Sequence, residues 1–354
     1  MQIALDLAKK GMHTAKPNPR VGCIVVSENK IVGQGWHRQT GEAHAEAIAL
    51  SEAGDKAKDS TVYSTLEPCT HFGQTPPCVE ALIAAAVGKV VYAMEDPNPV
   101  VSGQSRKILE SAEIEVISGV LSQESKDLNI GFHKRMKYGL PYIRTKIAAS
   151  IDGKTALLNG ESQWISSKQS RDDVQLWRAR SCALVTSIDT VIADDPSLNV
   201  RINDFSDIDQ PTRVILDSQL RIRGDYKILK SPGDVIVYSL QQVHNDPIFE
   251  GMIENTNERD GHVSLESVFR DLAKKEINEV MFECGGTLNG ALLKQNLIDE
   301  IIIYLAPCIL GDQANNMFSL PAISAMSERY NFNLIQVDRT GDDIRVVLRK
   351  ANLV

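Results

Sequence analysis

Residues 67 to 78 read Glu67-Pro68-Cys69-Thr70-His71-Phe72-Gly73-Gln74-Thr75-Pro76-Pro77-Cys78, with His44-Ala45-Glu46 upstream. Together they supply two thiols, the His44 imidazole and the Glu46 carboxylate, which need not bind metal. Zinc takes sulfur and nitrogen ligands in four-coordinate sites. A catalytic zinc keeps one position for water, so three protein ligands are the number sought. His44, Cys69 and Cys78 make three. Zinc lowers the pKa of its water from 15.7 to about 7, and Glu46, two residues from a ligand, is placed to carry protons.

H-x-E followed by a Pro-Cys segment is the signature of hydrolytic zinc deaminases, whose general form has two residues between the cysteines. Here eight residues separate Cys69 from Cys78, and Pro76-Pro77 among them push the pair apart along a rigid excursion. A Cys69–Cys78 disulfide, or two unrelated buried cysteines, would leave the same letters. Six cysteines in 354 residues make no disulfide framework, and neither alternative accounts for the H-x-E and Pro-Cys beside them.

A chain of 354 residues implies about two domains. The net charge of −8 argues against a general nucleic-acid binder, though a few local Arg residues could still hold a phosphorylated small substrate. No run reaches the roughly 18 apolar residues of a membrane helix, and Met1-Gln2-Ile3-Ala4 shows no signal peptide. Thiolate ligands suit a reducing, cytoplasmic setting.

Apolar spacing predicts a helix over Ile3–Lys10, strands at Val21–Val26 and Ile31–Gly33, and a helix through Gly41–Leu50 with His44 near its first turn. A strand at Thr61–Leu66 ends at the cysteine loop. A helix follows from Cys78 to Ala86, then a strand at Lys89–Ala93, the turn Asp96-Pro97-Asn98-Pro99, a helix over Ile108–Ala112 and a strand at Ile114–Val116. Gly139-Leu140-Pro141 marks the boundary, which gives domains 1–140 and 141–354. Beyond it, a strand at Tyr142–Ala148 and strands at 183–185, 212–217, 235–238 and 280–283 alternate with helices at 174–180 and 268–274. That alternation indicates an α/β domain with a mostly parallel sheet, closed by an antiparallel pair around Thr340-Gly341-Asp342. Residues 202–210 and 241–262 read as polar surface loops. At Glu283-Cys284-Gly285-Gly286-Thr287-Leu288-Asn289-Gly290-Ala291 a strand runs through two glycines into a helix, a start suited to phosphate or set by turn geometry alone. It is not G-x-G-x-x-G, so a Rossmann dinucleotide fold is not indicated. Cys23, Cys182, Cys284 and Cys308 are assigned to packing.

His44-Ala45-Glu46 with Pro68-Cys69-x-His71-x-Gly73-x-Thr75-Pro76-Pro77-Cys78 resembles the bifunctional riboflavin biosynthesis deaminase–reductases, and the likeness runs through nearly the whole chain. The resemblance implies a cytidine-deaminase-like α/β/α domain, then a dihydrofolate-reductase-like α/β domain using NADPH. It puts Asn18, His37, His71, Asp96 and Asn98 at the pyrimidine. On the residues alone, Asn18 reads equally as a turn residue, whereas for His37 the motif beside it favours a functional role over a surface histidine. It puts Ala148, Trp164, Thr190, Asp194, Ser218 and Gly285, Gly286, Thr287, Leu288, Asn289, Gly290 and Ala291 at NADPH. Ser162, Arg178, Leu198, Arg201 and Glu283 fall to the reductase substrate. Lys146, at a strand end, is added as a polar group beside the reacting centre, with Asp194. Without the family, Arg178 and Arg201 read first as solvated surface charges and Trp164 as core. Two departures stand out: Gln74 where the family usually has a cation, which weakens phosphate binding or moves it elsewhere, and Ser105 where Gly is frequent.

The expected reactions are zinc-dependent hydrolytic deamination of a phosphorylated aminopyrimidine, 2,5-diamino-6-(5-phosphoribosylamino)pyrimidin-4(3H)-one, then NADPH reduction of its ribosyl group. Expected partners are that substrate, no nucleic acid, no membrane, and further copies of the chain in a dimer or tetramer. Two other readings share the motif. One is a zinc base or nucleoside deaminase fused to an α/β domain that only binds a ligand; a nucleic-acid base deaminase is disfavoured by the acidic charge and the long loop. A structural zinc protein without turnover would need a fourth ligand, for which His71 is the candidate.

Overall fold

The computed structural model describes residues 1–72, 76–99, 101–202, 208–241 and 251–351. The chain divides into two compact units, Met1–Leu140 and Pro141–Val354. Gln74 and most of the loop expected over 202–210 lie outside the described residues.

Unit 1 runs α1 (Gln2–Ala8), β1 (Gly22–Ser27), β2 (Lys30–Trp36), α2 (Ala45–Ala53), β3 (Thr61–Leu66), α3 (Cys78–Ala84), β4 (Lys89–Met94), α4 (Gln104–Ser111), β5 (Glu115–Ser118), α5 (Ser122–Leu128) and α6 (Ile130–Tyr138). Its sheet has the order β2-β1-β3-β4-β5, with β1 antiparallel to both neighbours and β3, β4 and β5 parallel. One apolar cluster joins Ala45 and Ala49 of α2 and Val79 and Leu82 of α3 to Cys23, Val25, Val62 and Val90 of the strands. A second joins Leu5 and Ala8 of α1 to Leu128 of α5.

Two glycines bring α2 onto β2. A Cβ at Gly33 would lie 2.0 Å from the Ala49 carbonyl oxygen, and one at Gly35 2.4 Å from that of Ala45. Only a residue with no side chain allows the helix backbone this close. The expected helix ends differ in detail. His44 is the N-cap of α2, in extended backbone (φ −70°, ψ 158°), not part of its first turn. Helix α4 starts at Gln104, four residues before the apolar pattern that betrayed it.

Unit 2 runs β6 (Tyr142–Ser150), β7 (Lys154–Ala156), α7 (Lys168–Arg180), β8 (Ala183–Ser187), α8 (Ile188–Asp194), β9 (Thr212–Leu216), α9 (Lys227–Lys230), β10 (Val235–Ser239), β11 (Ile253–Asn255), β12 (Glu258–Arg259), β13 (His262–Val263), α10 (Leu265–Lys274), β14 (Glu279–Phe282), α11 (Gly286–Lys294), β15 (Glu300–Ala306), β16 (Asn315–Asn316), β17 (Phe332–Thr340) and β18 (Asp343–Lys350). The main sheet has nine strands, ordered β11-β10-β9-β8-β14-β6-β15-β18-β17. It is parallel from β11 through β15, and β18 and β17 close it antiparallel. Helix α7 is about twice the expected length, because Ser167 caps it by accepting the Ser170 N–H ahead of the apolar stretch. The loop expected over 241–262 is partly wrong. Residues 253–255 add an edge strand, and β12 and β13 form a hairpin, through pairing that polar sequence does not advertise. Residues 242–250 lie outside the described residues.

Replacing Gly33 with alanine forces α2 away from β2. We expect the variant to lose about 1–3 kcal/mol of stability or more, read as a lower urea midpoint for unit 1.

Candidate functional site

Three elements of unit 1 bring the ligands together. His44 caps α2, Cys69 follows β3, and Cys78 is the first residue of α3, after Pro77. His44 Nδ1 lies 3.2 Å from Cys78 Sγ and 3.5 Å from Cys69 Sγ, and all three ligand atoms fall within 4.8 Å of one another. Zinc–sulfur and zinc–nitrogen bonds of about 2.3 and 2.0 Å set ligand separations of roughly 3.5 Å in a tetrahedral site, so the set fits that ion. The Pro-Pro excursion does not part the cysteines: the Cys78 backbone N–H donates to Cys69 Sγ at 3.2 Å, and the Val79 N–H to the Cys69 carbonyl at 3.2 Å. Among the described residues the group contains only these three side chains. His71 is exposed and outside it, which leaves the closed four-ligand reading without its fourth ligand.

The thiols behave as one pair. Hydrogen bonding from Cys78, aided by His44, outweighs burial and holds Cys69 down at about 4. Hydrogen bonding to Cys69, then burial, pushes Cys78 well up. One proton leaves easily and the second needs a nearby positive charge, which is what a cation supplies.

Glu46 is 3 % exposed, in the first turn of α2. Its Oε1 accepts the Ser64 hydroxyl at 2.6 Å, and its Oε2 accepts the Cys78 thiol at 3.3 Å. Nothing local marks Ser64 as the residue that orients this carboxylate, because it reads only as part of a strand. His37 is buried, not a surface histidine. Asn18 Nδ2 donates to His37 Nε2 at 3.1 Å, so Nδ1 carries the proton toward the Ala43 carbonyl at 3.4 Å. Burial lowers its pKa, which keeps the ring neutral, and it stands edge-on to the His44 ring with centroids 5.5 Å apart. Asp96 is buried, and burial raises its pKa to about 6. Its Oδ1 accepts the Asn98 N–H at 2.8 Å.

In unit 2 an open cleft of about 1950 Å³ runs past the ends of the central strands. That is about twice the upper size of single-ligand clefts, which leaves room for a dinucleotide and a second ligand. Ala148, Ser162, Trp164, Thr190, Asp194, Ser218, Gly285, Gly286, Thr287, Leu288 and Ala291 line it, as do Lys146, Arg178, Leu198, Arg201 and Glu283. Two residues of the expected cofactor loop do not. Asn289 is buried beneath it, accepting the Thr145 hydroxyl at 2.6 Å. At Gly290 a Cβ would lie 2.0 Å from the Ser319 carbonyl oxygen, so this glycine serves close packing. Gly286 likewise yields to the Asn316 carbonyl, whereas a Cβ at Gly285 would meet nothing within 4 Å. Gly285 therefore leaves unfilled space where α11 begins, which suits a phosphate group drawn to free backbone N–H groups.

Trp164 is 70 % exposed with Arg171 over its ring at 4.5 Å, so it is not core. The Leu198 side chain is 3 % exposed and belongs to an apolar cluster with Ile188 and Val191. Arg178 is not a solvated charge. Its Nε and Nη2 donate to both oxygens of Glu283 at 2.6 and 3.0 Å, and its Nη1 to the Asn199 carbonyl at 2.9 Å. Burial would raise Glu283, but Arg178, then Lys146 and Arg201, outweigh it and hold the carboxyl at about 2. Burial, then Arg178, lowers Lys146. Arg201, exposed and bonded through Nη1 to Asn199 Oδ1 at 2.7 Å, is the more open cation.

The family described as RibD C-terminal domain matches residues 141–346, and the cytidine and deoxycytidylate deaminase zinc-binding region matches residues 1–94. Riboflavin biosynthesis protein RibD of Escherichia coli (strain K12) is 43% identical over 354 residues, covering 97% of this chain and 96% of that protein. The chain belongs to the RibD family. Among solved structures, Acinetobacter baumannii RibD (form 1) is 42% identical with a TM-score of 0.93, covering 99% of this chain and 98% of that one. The diaminohydroxyphosphoribosylaminopyrimidine deaminase/5-amino-6-(5-phosphoribosylamino)uracil reductase of Thermotoga maritima is 31% identical with a TM-score of 0.88, covering 99% and 97%. As a RibD protein this chain is a two-step enzyme of riboflavin biosynthesis, a zinc deaminase followed by a reductase that uses NADPH. A second domain that only binds a ligand is therefore set aside.

Exchanging Arg178 for methionine strands the Glu283 carboxylate. We expect a loss of about 3–5 kcal/mol in denaturant unfolding of unit 2, partly recovered when Glu283→Gln is added to the same chain.

Proposed function

We propose that residues 1–140 deaminate 2,5-diamino-6-(5-phosphoribosylamino)pyrimidin-4(3H)-one and that residues 141–354 reduce the ribosyl group to give 5-amino-6-(5-phosphoribitylamino)uracil. The observation that carries this reading is the convergence of His44 Nδ1 and two thiols beside the buried Glu46 carboxylate, with no fourth ligand among the described residues. His44, Cys69 and Cys78 would hold the zinc, which supplies the Lewis acidity that brings a water's pKa toward 7. Ser64 fixes one oxygen of Glu46 and leaves the other toward the ligands, so this carboxylate takes the proton of the attacking water and passes it to departing ammonia. Asn18 and His37 form a neutral hydrogen-bonding edge, and Asp96 with Asn98 forms a second, between which the pyrimidine is read.

In unit 2 NADPH would supply hydride; the start of α11 would hold its phosphates, and Trp164, Thr190, Asp194 and Ser218 would line the rest of its site. Glu283 and Lys146 meet the sugar end of the substrate. Arg178 keeps Glu283 ionised and in place, so Arg201 is the phosphate clamp. A cytoplasmic setting is proposed on the thiol ligands, and no helix of the described residues is long and apolar enough to cross a membrane. Assembly into a dimer or tetramer is supported by β17, at the end of the sheet order, with Leu334, Ile335 and Val337 exposed.

Supplying the diaminopyrimidine phosphate with and without NADPH tests the sequence of steps: without it the deaminated intermediate accumulates, with it the ribityl product forms. In Glu46→Gln we expect zinc to be retained and ammonia release to fall by about 10²–10⁴-fold, and unchanged ammonia release removes Glu46 from the mechanism. In Arg201→Ala the substrate KM for NADPH oxidation rises roughly tenfold or more, while an unaltered KM removes Arg201 from the site.

A further inference from the structure

Glu67 takes no part in the chemistry above, yet its carboxylate is fully committed. It is 2 % exposed, a state carboxylates almost never reach without partners. Its Oε2 accepts the backbone N–H of Asp96 at 3.1 Å and of Gly103 at 3.0 Å. Its Oε1 accepts the backbone N–H of Ser105 at 3.2 Å and the Ser105 hydroxyl at 2.8 Å. An ionised carboxylate offers about four lone-pair sites, so these donors use its capacity. One backbone donor opens the Asp96–Pro99 turn and the other two stand at the start of α4, so one side chain clasps both ends of the connection from β4 to α4. The Glu67 N–H is itself given to the Met94 carbonyl at 2.9 Å, two residues before the ligand Cys69.

We infer that Glu67 is a positioning residue for the deamination: it sets the turn carrying Asp96 and Asn98 at a fixed distance from the metal ligands. The inference rests on the reading that those two residues contact the pyrimidine. Asp96 Oδ1 already accepts the Asn98 N–H, so the turn's internal shape is settled locally and its placement falls to Glu67. The Ser105 hydroxyl gives the clasp its fourth donor.

The test uses the full, zinc-loaded chain. Glu67→Gln places an amide NH₂ where an oxygen had accepted, so a donor faces a donor. The deaminase KM for the diaminopyrimidine phosphate rises roughly tenfold to a hundredfold with little change in kcat. Zinc content and reductase kinetics on the deaminated intermediate stay as in the parent, and the amides of Asp96, Gly103 and Ser105 exchange faster with deuterium. Ser105→Ala removes one donor of the four, raises KM by roughly twofold to tenfold, and decides the matter if Glu67→Gln does not fold. Unchanged KM in these variants, amides still protected in Glu67→Gln, or lost zinc overturns the inference. Asp96→Asn separates the two layers. A KM insensitive to that change defeats the contact reading itself, whereas sensitivity there with none at Glu67 defeats positioning alone.

Discussion

The approach of α2 to β2 is the constraint on which the deaminase half depends. Helix and strand meet backbone to backbone at Gly33 and Gly35, so the helix can neither slide nor lift without opening a gap in a close-packed layer. Its N-cap His44 and, in its first turn, Glu46 inherit that fixity, and α3 brings Cys78 to the same point across the cluster containing Ala49, Val79 and Leu82. A metal site needs its donors placed to a few tenths of an ångström; helix starts give that placement to His44 and Cys78, and Cys69, beyond the end of β3, is tied to the start of α3 by the Cys78 and Val79 N–H groups. The second unit repeats the device, with Gly286 and Gly290 of α11 lying against the Asn316 and Ser319 carbonyls.

Charge is handled differently in the two halves. Unit 1 buries carboxylates against neutral donors: Glu46 against a hydroxyl, Glu67 against three backbone amides and a hydroxyl. Unit 2 does so too, at Asp217 and Asp343, and adds buried ion pairs. Beside the cleft, Arg178 and Glu283 neutralise each other in a two-bond fork, and Arg201 is the more exposed cation of the two arginines there. Elsewhere in the sheet Arg144, 1 % exposed, bridges Glu279 and Glu300 and so ties β14, β6 and β15 together. Taking these charges out of water costs free energy that Coulomb attraction only partly returns. Their gain is in fixing which strands meet.

The convergence of His44, Cys69 and Cys78 is legible in the sequence because zinc demands particular donors, and the parallel sheet because strands and helices alternate in the text. Other features depend on long-range contact and leave no local mark. Asn18 reads equally as a turn residue until His37 is seen across from it. Arg178 reads as a solvated charge until Glu283 arrives 105 positions later. The glycines of the 285–291 loop look alike as letters, yet Gly285 faces open space and Gly290 faces a carbonyl. The start of α7 was missed because a serine cap, not an apolar residue, opens it. The strand at 253–255 was missed because its pairing with β10 comes from the sheet edge, not from its own composition.

Strand β6 is the first part of unit 2 to be made, and it lies between β14 and β15 near the middle of the sheet. The acids that meet its Arg144 lie 135 and 156 residues further along. On the ribosome, unit 1 has all its strands in hand before β6 emerges, whereas β6 must wait with both edges bare until almost the whole chain is out. Such late closure leaves both edges of β6 exposed for most of the synthesis that remains, the condition under which long-range parallel pairing is slow and bare strand edges are open to wrong partners.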